Sequence, residues 1–255
     1  MSTPDFCFPH IALQETDSTS CHLQRLLLEQ TDKVAEFTTI TTQFQHAGKG
    51  QRGNSWEAET GKNLLFSFVL YPTFLQAKQQ FILSQLVSLS IATTLGRYID
   101  SVTVKWPNDI YWQEKKICGI LIEHELCGSN LQRTICGIGI NVNQEEFKSN
   151  APNPVSLKQI CDKSFDIDII LQQIMQNIYI DYMKLKTIGY EEFSLSISKQ
   201  YAAMLFRNQG YHRYRDINGE FLAKVNRVDI DGRFFLEDET GVIRSYLFKE
   251  VQYIL

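Results

Sequence analysis

A short segment between two strand-like runs concentrates glycines, cations and amides in a pattern that suits anion binding. It reads Gln45-His46-Ala47-Gly48-Lys49-Gly50-Gln51-Arg52-Gly53-Asn54-Ser55-Trp56. Because each glycine loses much backbone freedom on ordering, a loop of this composition is costly to hold in one shape without a ligand. Backbone N–H groups and the Lys49 and Arg52 side chains can together bind a phosphate. We therefore predict a flexible loop that orders over a phosphate-bearing ligand.

Two other interpretations of this loop are open. Gly48, Gly50 and Gly53 match the dinucleotide fingerprint G-x-G-x-x-G. That fingerprint must open a helix, whereas here a polar segment, 54–62, leads into the strand-like run 64–71. A plain hairpin loop explains the glycines but not the clustered cations. Anion binding is the interpretation that accounts for both.

A second segment with residues that could take part in a reaction is Lys105-Trp106-Pro107-Asn108-Asp109. A lysine leaves a strand, proline interrupts the strand, and Asn-Asp turns the chain. The functional interpretation is a carboxylate, Asp109, held at a strand end beside Lys105. The alternative is an ordinary Pro-Asn-Asp turn.

Two further runs carry glycine inside apolar strands, which often marks the close approach of a ligand. In the first, Lys116 precedes Gly119 by three residues; lysines at a hairpin turn are otherwise usually solvated. In the second, Gly137 and Gly139 alternate with isoleucine and lead to Asn141. Such a face could receive a flat ring, with the Asn141 amide at its edge. A β-bulge is the alternative.

The elements that must position these residues follow from periodicity and turn signals. The pattern predicts helices over 21–29, 79–99 and 167–185 and strands over 36–44, 64–71, 102–105, 117–124 and 131–142. Five shorter strands follow between 211 and 254, separated by Asn-Gly, Asp-Gly and Thr-Gly turns. The predicted fold class is α/β (α+β), a mixed sheet backed by helices and followed by a small C-terminal β-barrel. The predicted domains are 1–206 and 207–255.

Charge and composition exclude several classes. A net charge of −4 and a pI near 5.8 argue against nucleic-acid binding. No apolar run is long enough for a transmembrane helix, and no secretory signal is visible. The six cysteines form no C-x-x-C pair, and the five histidines show no metal-ligand spacing. The sequence thus predicts a cytoplasmic protein with reduced thiols, no membrane partner and no protein-bound metal.

Five segments together resemble the biotin protein ligases in order and spacing. They are Asp17-Ser18-Thr19, the loop 45–56, 105–109, Lys116 to Glu123 and Gly137 to Asn141. The resemblance runs from about Pro9 to the C-terminus. It implies a mixed sheet with helices and a small C-terminal barrel. Because the chain begins almost directly at the catalytic region, it resembles the members without a DNA-binding domain.

The resemblance implies a two-step reaction that needs biotin, ATP and Mg²⁺. Biotin is activated as biotinyl-AMP and then transferred to a lysine of a biotin carboxyl carrier protein. Lys116, Asp109 and Arg52 match the catalytic positions of the family. The positions assigned to biotin are Ser18, Thr19, Ser20, Gln45, Gly48, Lys49, Gly50, Gln51, Lys116 and Gly119. The positions assigned to the nucleotide are Lys49, Arg52, Trp56, Lys105, Asn108, Asn141, Gly137 and Gly139.

The loop departs from the form Gly-Arg-Gly-Arg-Arg-Gly-Arg that is familiar in this family. Lys49, Gln51 and Asn54 stand where that form has arginine. Lysine is a point charge and cannot donate the two parallel hydrogen bonds that an arginine guanidinium gives. The substitution therefore bears most on how tightly the biotinyl-AMP intermediate is retained. A lipoate ligase of related fold and a non-catalytic adenylate-binding module are the alternatives to the biotin ligase. A monomer and a homodimer are both compatible with the sequence.

Overall fold

The computed structural model of the chain describes residues 8–30, 33–50, 54–148 and 153–255. Its strands are β1 (His10–Thr16), β2 (Thr39–Gln45), β3 (Leu64–Leu70), β4 (Val102–Lys105), β5 (Asp109–Trp112), β6 (Lys115–Cys127), β7 (Asn130–Ile140), β8 (His212–Asp216), β9 (Gly219–Val228), β10 (Phe234–Asp238), β11 (Ile243–Tyr246) and β12 (Gln252–Tyr253). Its α-helices are α1 (Thr19–Glu29), α2 (Phe81–Leu95), α3 (Leu157–Cys161), α4 (Ile167–Ile188) and α5 (Tyr190–Met204). A short 3₁₀ turn spans Ala77–Gln79.

A seven-stranded sheet has the order β1-β2-β3-β7-β6-β5-β4, and a five-stranded sheet has the order β11-β10-β9-β8-β12. In the first sheet β1 is parallel to β2, while the β2–β3, β3–β7, β6–β7 and β4–β5 pairs are antiparallel. This mixed sheet with helices confirms the predicted fold class. None of the helices among the described residues is long and apolar enough to cross a membrane.

The chain divides into two compact units, the first formed by Met1–Ala77 and Lys115–Tyr179. In this unit β3 is buried at every position, as expected for a continuous apolar run covered on both faces. Helix α1 packs on β2, β3 and β7. Its Leu23 and Leu27 enter a core with Ile40 and Val69. This packing fixes the start of α1 against the sheet, where the candidate site lies.

The second unit is formed by Lys78–Glu114 and Ile180–Leu255. Helix α2 is buried on nearly all sides and packs against α5 and the β4–β5 hairpin. All pairs in its five-stranded sheet are antiparallel. Among residues 212–255, which are all described, no pairing joins the edge strands β11 and β12 into a closed barrel. The domain boundary between 206 and 207 stays a prediction.

The structure adds elements that periodicity did not indicate. Strands β1 and β5 and helices α3 and α5 are not among the predicted elements; β5 begins at Asp109, where the sequence predicts only that Asn108-Asp109 turns the chain toward the next strand. The helix predicted over 79–99 is shorter, since α2 spans Phe81–Leu95. Helix α5 was missed because Ser194, Ser196 and Ser198 break its apolar stripe and serine competes for backbone hydrogen bonds.

Candidate functional site

A tight turn around Asp17 sets the start of α1. Arg25 donates hydrogen bonds of 2.7 and 2.8 Å to the two carboxylate oxygens of Asp17, and the Ser18 N–H donates a third of 2.8 Å. The hydrogen bond from Arg25 is the largest cause that holds the pKa of Asp17 well below its usual range. Ser18 is the N-cap in extended conformation, but its side chain makes no capping hydrogen bond. The turn therefore presents Ser18, Thr19 and Ser20 from a fixed backbone.

A buried chain of hydroxyl and amide groups follows from this turn. Gln45 Oε1 accepts hydrogen bonds from the backbone N–H of Thr19 at 2.8 Å and from its hydroxyl at 3.3 Å. Thr19 Oγ1 lies 2.7 Å from Ser67 Oγ, and Ser67 Oγ lies 2.9 Å from Ser20 Oγ. The residues that we predicted from sequence, Thr19, Ser20 and Gln45, are thus brought together through Ser67. Sequence analysis missed Ser67, although it is the one polar residue in the apolar run 64–70.

The two described arms of the predicted loop, 45–50 and 54–56, are hydrogen-bonded to each other, and the first is also hydrogen-bonded to the Asp17 turn. Ala47 donates its N–H to the Asp17 carbonyl at 2.9 Å, and Trp56 donates to the Gly48 carbonyl at 2.9 Å. A Cβ atom on Gly48 would lie 2.6 Å from the Trp56 carbonyl oxygen, so only glycine fits there. At the tip, Gly50 donates to the Asn54 carbonyl at 2.7 Å. The predicted site residues Gln51 and Arg52 lie outside the described residues.

Three glycines on β6 and β7 form a floor without side chains. Gly119 and Gly139 are directly paired across the two strands, and Gly137 lies two residues before Gly139 on the same face. A Cβ atom on Gly137 would lie 2.3 Å from Ser20 Oγ. Gly137, which we predicted for the nucleotide, therefore adjoins the hydroxyl chain.

A flat ring lies on the remaining part of this glycine floor, and it is the indole of Trp56. Cβ atoms on Gly119 and Gly139 would approach ring atoms of Trp56 to 2.7 and 2.4 Å. The Trp56 Nε1 atom is buried and has no hydrogen-bond partner among the described residues. The floor thus accommodates an aromatic ring system, and the ring on it has an unused donor.

One lysine, Lys116, borders the floor, and a second, Lys49, lies on the loop arm near Cys21. The Lys116 Nζ lies 5.9 Å from the centroid of a Trp56 ring. Its backbone N–H donates to the Asn153 carbonyl at 2.9 Å, and its carbonyl accepts from Val155 at 3.0 Å. The pKa of Lys49 is raised, mainly by a hydrogen bond with Cys21. Both lysine side chains suit a ligand with carboxylate or phosphate groups.

Asn141 follows the last residue of β7 and is almost fully buried. Its Nδ2 donates to the Val155 carbonyl at 3.2 Å, and its backbone N–H donates to Ile117 at 2.9 Å. Its Oδ1 is buried with no hydrogen-bond partner among the described residues. The Nδ2 group of Asn141 is therefore used within the protein, while its Oδ1 can accept a hydrogen bond from a ligand.

The second unit holds the other predicted residues, Lys105, Asn108 and Asp109. Lys105 pairs with Asp109 across the β4–β5 hairpin, and Asn108 is buried in the turn. The Lys105 Nζ donates to the Tyr111 hydroxyl at 3.0 Å and lies 5.0 Å from the Tyr253 ring centroid. Their roles toward a nucleotide or an amine stay predictions.

The histidines and cysteines play other parts. Burial lowers the pKa of His124 to about 4, and its Nδ1 lies 2.9 Å from Thr134 Oγ1. The described cysteines, at positions 21, 118, 127, 136 and 161, are free thiols. Within the described ranges, no group of three His, Cys, Asp or Glu side chains could hold a metal ion.

The fold and the site define a mixed-sheet protein whose glycine floor is bordered by a hydroxyl chain and a lysine ammonium. The model of the "Biotin/lipoate A/B protein ligase family" matches residues 13–141. The chain belongs to this family.

Relatives and solved structures agree with this assignment. The bifunctional ligase/repressor BirA of Bacillus subtilis is 30% identical over 249 residues, covering 93% of this chain and 71% of that protein. The biotin–[acetyl-CoA-carboxylase] ligase of Paracoccus denitrificans is 31% identical over 240 residues, covering 91% of each chain. The structure of the biotin protein ligase of Aquifex aeolicus in complex with biotin and ATP superimposes with a TM-score of 0.75. It is 28% identical, covering 96% of this chain and 99% of that one. The chain spans 66% of the length of the Bacillus spizizenii BirA, to which it is 32% identical.

Proposed function

We propose that the protein is an ATP-dependent biotin–[biotin carboxyl carrier protein] ligase. It activates biotin as biotinyl-AMP and transfers the biotinyl group to a lysine of a carrier protein domain. One observation carries the proposal. A buried hydroxyl and amide chain and a lysine ammonium lie at opposite ends of one glycine floor. A ligand with a polar neutral ring at one end and a carboxylate at the other matches this arrangement.

The polar chain suits the ureido ring of biotin. That ring has a carbonyl acceptor and two N–H donors, and serine or threonine hydroxyls can serve either need. Thr19, Ser20 and Gln45 form the chain, and Ser18 precedes them on the same turn. The face of Gly119 carries no side chain and is covered by the Trp56 indole, which would move aside for the apolar part of the ligand. Because the hydroxyls are already oriented by Ser67, little ordering is needed when biotin binds.

The first reaction step joins two anions and needs positive charge. A carboxylate oxygen of biotin attacks the α-phosphorus of ATP, the bond to the bridging oxygen breaks, and pyrophosphate leaves with the electron pair. We assign Lys116, whose ammonium lies 5.9 Å from a Trp56 ring centroid, to stabilise the incoming carboxylate and the developing charge. Lys49, with Arg52 from the loop, would bind the phosphate. Asn141 Oδ1 provides an acceptor for the nucleotide.

In the second step the amine of a carrier lysine attacks the carbonyl carbon of the mixed anhydride. An amide bond forms, and AMP leaves with the electrons of the broken C–O bond. The amine must be neutral before it attacks, so a carboxylate is needed to orient it and to accept its proton. We assign this role to Asp109. We assign Trp56, Gly137 and Gly139 to the adenylate, together with Lys105 and Asn108 of the second unit.

ATP would enter as its Mg²⁺ complex, because Mg²⁺ is commonly bound through substrate phosphates and water. The carrier would be the biotin carboxyl carrier domain of a biotin-dependent carboxylase. We also propose the cytoplasm as the compartment, since free cysteines are typical of reducing environments.

The test is pyrophosphate exchange into ATP that depends on biotin. The wild type should exchange with biotin and not with lipoate; exchange with lipoate alone would select the lipoate ligase, and ligand binding without exchange would select a non-catalytic module. Lys116→Ala should lose exchange by at least about 100-fold, the scale of one lost oxyanion donor. Its circular dichroism should stay that of the wild type. Near-normal exchange in Lys116→Ala would remove that residue from the mechanism.

Asp109→Ala should separate the two steps. Exchange should stay close to the wild type, while transfer from preformed biotinyl-AMP to the carrier should fall by about 10²- to 10⁴-fold, as for a lost general base. Equal transfer by Asp109→Ala and wild type would contradict the assigned role.

A further inference from the structure

The indole of Trp106 joins the turn between β4 and β5 to the five-stranded sheet. Its Nε1 donates a hydrogen bond of 2.9 Å to the Gly232 carbonyl, and the side chain is almost fully buried. Its ring stacks on Phe234 with centroids 5.0 Å apart and an interplanar angle of 18°. The Phe248 ring meets it edge-on at 5.9 Å. Three residues of the five-stranded sheet and its connections therefore hold this single side chain.

The acceptor of this hydrogen bond is itself held in place. Gly232 has φ +88°, a conformation that favours glycine, in the turn that leads into β10. A Cβ atom there would lie 2.8 Å from a ring atom of Phe81. The turn is closed by a hydrogen bond of 2.9 Å from the Gly232 N–H to the Asp229 carbonyl. Since the turn has little room to move, the indole has one well-defined position.

The residues beside Trp106 are held by the same unit. Tyr201 of α5 donates a hydrogen bond of 2.6 Å from its hydroxyl to the Pro107 carbonyl. The Lys105 ammonium lies over the Tyr253 ring, and Tyr253 in turn stacks on Phe234 at 6.1 Å. The segment that carries Lys105 and Asp109 is thus held by α5 and the C-terminal sheet as well as by its own strand pairing.

We propose that Trp106 is a positioning residue through which the C-terminal sheet sets the geometry of Lys105 and Asp109. The inference rests on the proposed function, because it gives those two side chains a reaction to serve. A misplacement of about 1 Å at a reacting group can lower a rate by about 100-fold. In this proposal the sheet acts on the transfer step through Trp106, and Trp106 itself contacts neither biotin nor the nucleotide.

The test compares two identical substitutions on one hairpin. Trp106→Phe keeps an aromatic ring and removes the donor to Gly232, while Trp112→Phe changes the half-buried tryptophan at the end of β5. Transfer from preformed biotinyl-AMP should be about tenfold slower in Trp106→Phe, with the KM for biotin unchanged within about twofold. Trp112→Phe should transfer at the wild-type rate. Rates are normalised to the folded fraction by near-UV circular dichroism.

A purely structural role would appear differently. It would lower the melting temperature of Trp106→Phe and leave the transfer rate per folded molecule unchanged, which overturns the proposal. Phe234→Leu is a second variant that tests the proposal, since it alters the stacking partner of Trp106 and leaves Trp106 itself unchanged. It should slow transfer as well, and wild-type transfer in a folded Phe234→Leu protein would also overturn the proposal.

The failure of the proposed function would be distinguishable. If the wild type shows no biotin-dependent exchange, the function is wrong whatever the variants do. The positioning role is then read from backbone amide chemical shifts. Asp109 lies three residues from both substituted positions; its amide shift should change in Trp106→Phe and not in Trp112→Phe. An unchanged Asp109 shift in Trp106→Phe would overturn the positioning role on its own.

Discussion

Ser67→Ala is the most informative single change in the first unit, because it removes the central member of the polar chain without touching its ends. Ser67 is fully buried in β3, and its hydroxyl lies 2.7 Å from Thr19 Oγ1 and 2.9 Å from Ser20 Oγ. Thr19 keeps Gln45 as a partner after the substitution, whereas Ser20 has no other side-chain partner among those described for the polar chain. The substitution therefore leaves mainly the Ser20 hydroxyl without its hydrogen-bond partner.

The expected magnitude follows from these contacts. Each hydrogen bond between neutral groups contributes about 0.5–1.5 kcal/mol net, and a buried hydroxyl left unpaired costs about 1–3 kcal/mol. We expect Ser67→Ala to lower the free energy of unfolding by about 1–3 kcal/mol. Because Thr19 and Ser20 also lose their fixed orientation, we expect biotin to bind about five- to tenfold more weakly, which corresponds to about 1–1.4 kcal/mol.

Urea denaturation and isothermal titration with biotin measure the two effects separately. Ser88→Ala is a matched control, since Ser88 is also fully buried and its hydroxyl donates to carbonyls of its own helix, those of Ser84 and Gln85, with no other partner shown among the described residues. It should leave the dissociation constant for biotin unchanged. If Ser67→Ala destabilises the protein yet binds biotin as tightly as the wild type, the polar chain is structural and does not orient the ligand.

Two further changes probe the floor and the buried histidine. Gly139→Ala places a methyl group about where the Trp56 ring lies. It should displace the indole, seen as a shift in tryptophan fluorescence, and raise the KM for ATP more than that for biotin; an unchanged spectrum would contradict the contact. For His124, the folded pKa of about 4 lies below the ordinary value of 6.5. The unfolded chain therefore binds more protons between these values, and stability present above pH 6.5 is lost as the pH falls toward 4. His124→Gln should flatten this decline, of which about 2 kcal/mol falls between pH 7 and 5, in urea titrations at those two pH values; an unchanged slope would exclude His124 as its source.

The elements with strong periodicity could be predicted from the sequence, and those shaped by tertiary contacts could not. Strand β3 and helices α1, α2 and α4 follow from apolar runs and spacing. Strand β1 is short and half-exposed, so its pattern, with Ile11 and Leu13 as its larger apolar residues, is weak. The five C-terminal strands were found from their Gly turns, whereas their assembly as an open sheet depends on pairings between strands that no local pattern specifies.

At the site, residue types were easier to predict than their partners. Glycines at 137 and 139 imply a bare face, which the sequence shows directly. That Ser67 completes the polar chain, and that the Trp56 indole lies on the floor, depends on the register of β3 and β7 and on the path of the loop. Neither can be read from spacing. The contacts of Trp106 were hidden for the same reason, since Gly232 lies 126 residues further along the chain.

The polar chain and the loop lysine Lys49 differ in how firmly they are held, and this difference assigns them different kinetic roles. The polar chain is held by a helix start and two strands, through hydrogen bonds among the protein's own groups. Lys49 instead belongs to a loop arm and has lysine where the family form has arginine, so it provides charge without a fixed bidentate geometry. Preorganised groups reduce the ordering needed on binding, while charges that act on the phosphates count most when charge develops in the transition state. Substitutions in the polar chain should therefore act mainly through biotin affinity, and Lys49→Ala should act mainly through the rate of adenylation.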